Sequence, residues 1–574
     1  MADKSQAHDK QVLHKLGYAQ ELSRRMSGFS NFAISFSIIC ILAGGISAFP
    51  AAFNSLGSGG AFLIWLVGGV LALSVAFGMG QIASSFPTAG GLYHWSSHLG
   101  GKMWGWLTAW FNLIGLIAVV SSVDVLLYSI FFKGILLTDT LGVDTSAFGY
   151  WHQFIFLVVV LVTQSLLNHY GIELTTKVTD LSGYLIFGLT IILIIGLFAF
   201  SPVALDFSRL TAITNFTGDS GGGVIPFRTE SIAFAFLLGL VYVCYTITGF
   251  DASAHTSEET KDAQVNVPKG MWTAVFWSWV FGLVAVAAYV LVMPSVEEAA
   301  TTGWGAAGAA TGAFSYMWNA SLMPQWLKVF LAVGLVAVNY MCALAGMTSC
   351  SRMMYAFSRD DGIPGFSKTL AQVSTQYRTP TYAIWTSAGL ALLSTVYAPY
   401  YLVLAVACAV FLYLSMVMPI AAGLMTEGSE KWKEKGPFNL GGLSKPNAVL
   451  AIVFGITLAI TGFFPPNEKI YFFTIYFIVG LLGLWSRRTA IMGIGLAVVA
   501  LVLSFFKVSD ANPMHYLVPD AVRAYTTIGV AVVTTVITFL TGGEDRRFEG
   551  VPEGEKIAQR QKMIADIEKK YGEA

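Results

Sequence analysis

Charged residues are scarce in this chain of 574 residues, where Asp, Glu, Lys and Arg together make up only 11%. A soluble globular protein usually carries about 25%, so a water-facing surface over the whole length is excluded. Lys+Arg and Asp+Glu both number 33, and without a positive excess we expect no nucleic-acid partner. The five cysteines all lie in apolar stretches without metal-ligand or disulfide spacing, so no cofactor is expected.

Apolar runs are abundant, since 55% of the residues are hydrophobic. Residues 1–28 are polar and charged, so the first run is a membrane span and not a cleavable signal peptide. A span needs about 20 mostly apolar residues, which predicts an all-α integral membrane protein with about 14 transmembrane helices. They are 30–52, 60–84, 103–131, 152–168, 178–200, 231–254, 271–293, 325–352, 380–397, 400–424, 447–464, 470–486, 489–507 and 522–541.

Lysine and arginine indicate the orientation of these spans. With the N-terminus inside, 26 of the 33 basic residues fall in inner segments and 7 in outer ones. We therefore expect both termini to be cytoplasmic and the bilayer to be the plasma or inner membrane. No H-E-x-x-H or P-loop sequence occurs, and no catalytic constellation stands within the spans, so the chain is not predicted to be an enzyme.

Two spans contain glycine and small polar residues near their middle. The first has AGGIS at 43–47, followed by Pro50, and the sixth has YTITGFD at 245–251. Glycine also allows membrane helices to pack closely, but polar residues at both positions favour interrupted helices that bind a solute at mid-membrane. The breaks are five helices apart, and an odd number of crossings inverts the second copy of a five-helix unit relative to the first.

Several segments resemble the amino acid-polyamine-organocation superfamily, in its amino acid/choline transporter branch. They are SSFPTAGGLYHW at 84–95, GFDASAHTSEET at 249–260, SRMMYAFSRDDGIP at 351–364 and GPFNLG at 436–441. The resemblance covers about residues 15–465. It implies a leucine-transporter-type fold, in which two inverted five-helix repeats alternate between access from each side, here with extra C-terminal helices.

The expected organisation combines this resemblance with the predicted spans. Its five parts are a cytoplasmic N-tail at 1–28, the first five-helix repeat at 29–200, an outer loop and the second repeat at 201–425, helices 11–14 at 426–541, and a cytoplasmic C-tail at 542–574.

The two breaks predict how an amino acid would bind. An unpaired carboxylate or ammonium group in a low-dielectric cavity costs several kcal/mol, whereas a half-helix N-terminus offers free N–H groups and a positive dipole end. We expect the carboxylate on the backbone of Gly44, Gly45, Ile46 and Ser47. The second break lies at Tyr245, Thr246, Thr248, Gly249 and Phe250. The carbonyl groups freed around Tyr245, Thr246 and Thr248 are expected to bind the ammonium, and the side chain of Phe250 is expected to cover the substrate as a gate.

Other polar residues are candidates for substrate or ion binding. Asp124 lies within span 3, where a carboxylate is a functional candidate for pairing with an amine or carrying a proton, unless it is solvated at the outer interface. Asp251 is expected to cap the helix that restarts after the break. Thr348 and Ser349 resemble the hydroxyl pair that completes a sodium site in this fold. The lysine that some proton-coupled relatives place in helix 5 is absent from LIFGL at 185–189.

The sequence thus predicts a permease for a small amino acid or γ-aminobutyrate. A choline or polyamine transporter ranks second, because such a cation leaves the N–H groups of the first break without an anion. A channel and a transport-like receptor are alternatives from other classes. Whether the coupling ion is a proton or sodium, whether transport is symport or antiport, and the oligomeric state all stay open.

Overall fold

The computed structural model describes residues 2–218, 225, 228–301, 312–397, 401–463, 548 and 550–572. Among them the regular structure is helical, with no strand. The first helices are α1 Ala2–Lys15, α2 Gly28–Ile39, α3 Ala43–Ser85, α4 Gly91–Gly100, α5 Lys102–Leu126, α6 Tyr150–His169, α7 Ile172–Ala199, α8 Ile232–Thr246 and α9 Ala252–His255. The later helices are α10 Ala263–Leu291, α11 Val296–Thr301, α12 Gly312–Ala320, α13 Gln325–Arg359, α14 Ser367–Leu370, α15 Thr381–Tyr397, α16 Tyr401–Thr426, α17 Ser444–Gly462 and α18 Glu555–Lys570.

These helices agree with the first eleven predicted spans. Eight helical stretches are long and apolar enough to cross a membrane, and two shorter apolar helices, Ile232–Thr246 and Thr381–Val396, accompany them. Span 3 is longer than expected, because α5 continues as the π-helix Leu127–Thr140. The predicted helices 470–486, 489–507 and 522–541 lie outside the described residues. The protein is thus an integral membrane protein with the leucine-transporter-type fold.

The helix α3 contains two crossings joined at a kink. Leu56 and Gly57 have non-helical backbone angles there, and Gly57 lies in the left-handed region at φ 73°. A side chain at this position would be strained, and its Cβ would lie 3.0 Å from the carbonyl oxygen of Thr214. The first predicted span is therefore divided between α2 and the beginning of α3, and the second span is the remainder of α3.

The two interrupted helices lie inside the bundle. The helix α2 packs against α7, α9, α10 and α13, while α8 packs against α3 and α16. Side chains of α2 bind the backbone at the second interruption: the Ser35 hydroxyl donates to the carbonyl oxygen of Phe250 at 2.8 Å, and the Asn31 amide donates to that of Ser253 at 3.0 Å. Direct hydrogen bonds thus connect α2 to the region of the second interruption.

Two ion pairs join the end of α13 to the segment that follows α9. The guanidinium of Arg352 binds both carboxylate oxygens of Glu259 at 3.1 Å, and Arg359 binds both oxygens of Glu258 at 2.9 and 3.0 Å. Both carboxylates are fully buried. Bidentate pairing of this kind satisfies charges that would otherwise be costly to bury.

Both described ends of the chain lie on one face of the bundle, which we name the terminal face. Glu568 of α18 accepts from His14 at 2.7 Å and pairs with Lys10 of α1 at 2.8 Å. Beside them the buried carboxylate of Asp360, just after α13, accepts hydrogen bonds from three segments. The donors are Tyr18 after α1, Tyr93 of α4 and Arg560 of α18.

Candidate functional site

The first interruption separates α2 from α3. The helix α2 starts at a Ser27 cap, whose hydroxyl accepts from the N–H of Ser30 at 3.0 Å, and it stops at Cys40. Cys40 adopts a left-handed conformation, with φ 33° and ψ 76°. The new helix begins at Ala43, so the interruption lies about one turn before the position predicted from the glycine cluster.

This shift corrects the predicted carboxylate donors. Three of the chosen N–H groups already donate to carbonyl oxygens four residues earlier, namely those of Gly44, Gly45 and Ile46 at 2.8, 3.0 and 3.3 Å. Ser47 lies within the first turns of α3, and its hydroxyl binds the carbonyl oxygen of Gly44 at 3.0 Å. In the described part of the chain, no acceptor faces the N–H groups of residues 41, 42 and 43. These are the free donors at the positive end of α3.

The second interruption lies where the sequence places it. The helix α8 ends at Thr246, the N–H of Ile247 makes the last helical bond to the carbonyl oxygen of Val243 at 3.0 Å, and α9 starts at Ala252. Gly249 has φ 75°, a conformation that only glycine adopts without strain. Among the described residues no backbone N–H reaches the carbonyl oxygens of residues 245 and 246, so they stay available as acceptors.

A small cavity lies between the two interruptions. The cavity is tight, with a volume of only about 20 Å³. It is lined by Ile38, Ile39, Ala43, Gly44, Val119, Val123, Leu126, Tyr245, Thr246, Thr248, Asn339, Cys342 and Cys408.

Four of the predicted substrate residues line this cavity: Gly44, Tyr245, Thr246 and Thr248. The other six do not, and they are Gly45, Ile46, Ser47, Gly249, Phe250 and Asp124. The ring of Phe250 is fully buried away from the cavity lining, which gives no support to its predicted role as a gate. Helices α5, α13 and α16 also line the cavity, and none of their lining residues was predicted.

Gly44 is the point of closest approach between the interrupted helices. A Cβ added there would lie 2.7 Å from Cγ2 of Thr246, which is closer than real Cβ contacts allow. At Gly45 an added Cβ would meet only the Trp65 ring, at 3.6 Å. The Thr246 side chain packs directly on the Gly44 backbone, so glycine is required at position 44, whereas position 45 tolerates a side chain.

The polar groups of the cavity are neutral, since none of the lining residues carries a charge. The hydroxyl of Tyr245 donates to Ser122 at 3.0 Å, and the amide of Asn339 donates to the carbonyl oxygen of Val123 at 2.9 Å. Thr248 Oγ1 and Asn339 Oδ1 are buried without a hydrogen-bond partner in the described structure. A buried polar atom of this kind usually has a ligand or water as its partner. An amide within the apolar run LVAVNYMCAL at 335–344 was the signal that could have identified Asn339.

Asp124 is fully buried, so it is not solvated at an interface. Its Oδ1 accepts from Nε2 of Gln164 on α6 at 2.9 Å, and its Oδ2 has no partner within the described structure. The carboxylate therefore faces α6, and the neighbouring Val123 faces the cavity. This placement separates Asp124 from direct contact with a solute there.

The hydroxyl pair of α13 does not lie at the first interruption. Thr348 donates to Asn168 of α6 at 2.7 Å, and neither Thr348 nor Ser349 lines the cavity. Among the α13 residues that contact the end of α2 is Cys342, whose thiol donates to the carbonyl oxygen of Ile38 at 3.1 Å. A thiol is a poor ligand for a hard cation such as sodium, so the structure gives no support to the predicted sodium site.

A bundle of apolar helices with two interrupted members around a small polar cavity defines a membrane transporter. Comparisons with known proteins agree with this class. Residues 26–484 match the family model described as amino acid permease, so the chain belongs to the amino acid permease family and is not an enzyme.

Named relatives are found in plants and fungi. The chain is 32% identical to amino-acid permease BAT1 of Arabidopsis thaliana, over 78% of this chain and 87% of the relative. It is 28% identical to the GABA-specific permease of Saccharomyces cerevisiae, over 66% of this chain and 64% of the relative. Amino-acid permease 2 of Neurospora crassa is 24% identical, over 82% and 85%.

Proposed function

We propose that the protein is a secondary carrier for a small amino acid, with γ-aminobutyrate as the leading substrate, and that it works by alternating access. The observation that supports this most is the chemistry of the cavity. One wall presents the N–H end of α3 and the opposite wall presents the carbonyl end of α8, with no charged side chain between them.

Such walls suit a zwitterion. Its carboxylate would bind the free N–H groups at 41–43, where the α3 dipole is positive, and its ammonium would bind the carbonyl oxygens of Tyr245 and Thr246. Thr248 and Asn339 offer the remaining hydrogen bonds. A choline-like cation would find acceptors but would leave the N–H end of α3 without an anion, which ranks it second.

The size of the cavity favours a small or flexible solute. The cavity volume is only about 20 Å³, so the walls must separate slightly as the solute enters. Similarity to a permease named GABA-specific supports an unbranched ω-amino acid within this class. We further propose that the terminal face is cytoplasmic and that the membrane is the plasma or inner membrane, as the distribution of lysine and arginine predicts.

Uptake into proteoliposomes tests this function. Purified protein is reconstituted, and labelled γ-aminobutyrate, glycine, alanine, choline and putrescine are each supplied with and without sodium. We expect saturable uptake of γ-aminobutyrate or another small amino acid, accelerated by unlabelled solute loaded inside the vesicles.

The alternative functions give different results. Uptake of choline or putrescine alone would overturn the amino-acid assignment. Flux that does not saturate would identify a channel. Binding in a thermal-shift assay without any flux would identify a receptor. Reconstitution inserts the protein in both orientations, and protease access to α18 measures the fraction in each. Vesicles that lack correctly oriented protein are then not mistaken for an inactive protein.

A further inference from the structure

Where the second interruption meets α9, Asp251 and His255 form a buried acid–histidine pair that does not line the cavity. Asp251 and His255 are fully buried, and Oδ2 of Asp251 lies 3.3 Å from Nε2 of His255. Asp251 was expected to cap α9, but its side chain makes no capping bond. The carboxylate instead accepts from the amide of Asn112 on α5 at 2.8 Å. A different role must therefore explain a buried acid at this position.

The hydrogen bonds of His255 determine how many protons the pair holds. Nδ1 lies 3.2 Å from the carbonyl oxygen of Ala89, which can only accept, so Nδ1 carries a proton. In neutral histidine Nε2 is then an acceptor. The Oδ2 of an ionised Asp251 is also an acceptor, so a hydrogen bond across their 3.3 Å separation forms only when the pair holds one further proton, on either His255 or Asp251.

The pair lies between the cavity and the terminal face. Asn112 precedes the cavity residue Val119 by two turns of α5, or about 10 Å along its axis, in the direction of α4. Thr248 lines the cavity and precedes Asp251 by only three residues. A solute in the cavity and a proton on the pair would therefore be adjacent to the same short segment, Thr248 to Asp251.

Other charged or titratable groups around the pair already have partners or are neutral. On α13, Arg352 and Arg359 bind Glu259 and Glu258, and Glu258 accepts from the N–H of Ala89 at 3.0 Å. The helix α2 presents neutral Asn31 and Ser35. Other titratable residues on elements that pack nearby include Cys408 and Tyr413 on α16, Tyr93 and His94 on α4, and Cys350 and Tyr355 on α13. None of them supplies a second carboxylate to Asp251.

We infer that Asp251 and His255 together form the site of a coupling proton that moves with the solute. The inference rests on the proposed carrier function and names its driving ion. In the loaded state the pair holds this proton, and the hydrogen bond between Asp251 and His255 is made. When the terminal face opens, the proton passes to water, leaving the Asp251 carboxylate and neutral His255. The pair regains a proton from the opposite side before the next solute is transported.

Two conservative variants separate the effect of losing the proton from the effect of changing the packing. In Asp251→Asn the amide can donate to Nε2 of His255, which imitates the loaded pair without a mobile proton. In His255→Asn the amide can still donate to Ala89 while Nε2 is lost. His169→Gln, at the end of α6, is the matched control because it is remote from the pair. All are tested as full-length protein in proteoliposomes.

Three measurements distinguish the outcomes. In a one-to-one symport an inward gradient of about one pH unit supports about tenfold accumulation of solute, which we expect for the natural protein and for His169→Gln. Both Asn variants should only equilibrate the solute, and exchange of labelled for unlabelled solute should stay within about twofold in both. A trapped pH indicator should report proton influx with solute for the natural protein and none for the variants.

Each contrary result has one meaning. Absence of exchange by the natural protein would overturn the proposed carrier itself. Exchange without any response to the pH gradient would leave the carrier standing and overturn the coupling proton. Gradient-driven accumulation by Asp251→Asn would remove the pair as its site, and loss of exchange in both variants would identify the pair as structural.

Discussion

The two interruptions differ in length and in the groups they expose. The first leaves three residues, Cys40 to Leu42, between α2 and α3, and it presents N–H groups. The second leaves five residues, Ile247 to Asp251, between α8 and α9, and it presents carbonyl groups together with a buried acid. The groups exposed at the first suit an anion, whereas those at the second suit a cation and lie beside the buried contact of Asp251 with His255.

Their supports differ as well. The end of α2 is held by a weak thiol donor, Cys342 of α13, at the carbonyl oxygen of Ile38. The end of α8 is held by a strong hydroxyl donor, since Tyr413 of α16 donates to the carbonyl oxygen of Ile247 at 2.6 Å. We therefore expect changes at the second interruption to be tolerated less well than changes at the first.

The largest effect is expected for Gly249→Ala at the second interruption. Alanine in this left-handed conformation costs about 1–2 kcal/mol, and its Cβ would lie 2.2 Å from Cγ2 of Ile38 on α2. Uptake should fall below detection, and the melting temperature of the purified protein should decrease. Gly188→Ala in α7 is the control, because no atom of the described residues lies within 4 Å of the added methyl group; equal loss in both variants would contradict the argument.

A somewhat smaller effect is expected for Gly44→Ala at the first interruption. The methyl group overlaps Thr246, and overpacking typically costs about 1–3 kcal/mol, which corresponds to a loss of uptake of about tenfold or more. Gly45→Ala has space and should retain uptake.

Repacking sharpens this test. Thr246→Ser removes Cγ2, the atom nearest to the added methyl group, and retains the hydroxyl. The double variant Gly44→Ala/Thr246→Ser should therefore recover part of the uptake lost in Gly44→Ala. If Gly44→Ala transports normally, the close approach of the two interruptions is not part of the solute site.

An intermediate effect is expected for Asn339→Ala, which removes the polar side chain between the two interruptions. A neutral hydrogen bond contributes about 1 kcal/mol, so the KM for the transported amino acid should rise about fivefold with little change in maximal rate. The neighbouring Tyr340→Phe is the matched control, since its hydroxyl donates to Thr163 of α6 at 2.9 Å, away from the cavity. A KM that changes equally in both would remove Asn339 from the site.

The smallest effect is expected far from both interruptions, for Glu568→Gln in α18. Burial acts to raise the pKa of Glu568, but hydrogen bonds from Lys10, the Gln20 backbone and His14 outweigh it and hold the pKa below the ordinary 4.5. A lowered carboxyl pKa stabilises the folded arrangement above pH 4.5, and that stabilisation is lost as the pH falls further.

The consequence is measurable without transport. Glu568 is buried, and hydrogen bonds to charged groups contribute about 1.5–3 kcal/mol; because Gln keeps one acceptor oxygen, Glu568→Gln should speed hydrogen exchange in α18 about tenfold at neutral pH while uptake is unchanged. The exposed Glu555→Gln at the start of α18 serves as the comparison. A large loss of uptake would show that the contact between α1 and α18 is required for transport.

The sequence predicted most of the fold because long apolar runs have few structural alternatives in a bilayer. The first eleven spans and the second interruption were assigned correctly. The first interruption was placed a turn late, because the search relied on glycine, whereas the residue that leaves the helix is Cys40. Gly44 instead serves the close contact with Thr246, and a contact across the fold is not visible in the local sequence.

The candidate site was predicted only in part for a related reason. Gly44, Tyr245, Thr246 and Thr248 belong to the interrupted helices and could be found from their own neighbours in the sequence. Asn339 and the α5 residues reach the cavity only through helix packing. Asp124 was a reasonable candidate by burial, but which way a side chain points around a helix depends on its neighbours, here Gln164 of α6.

The carboxylate of Asp360 has a mechanical consequence. It joins Tyr18, Tyr93 and Arg560, so the amino-terminal segment, α4 and α18 are fastened at one shared point. Moving any one of them outward weakens the hold on the other two, and release of the terminal face should be all-or-none rather than gradual. A single event at this carboxylate, or on α18, which brings Arg560 to it, would therefore act on all three segments at once.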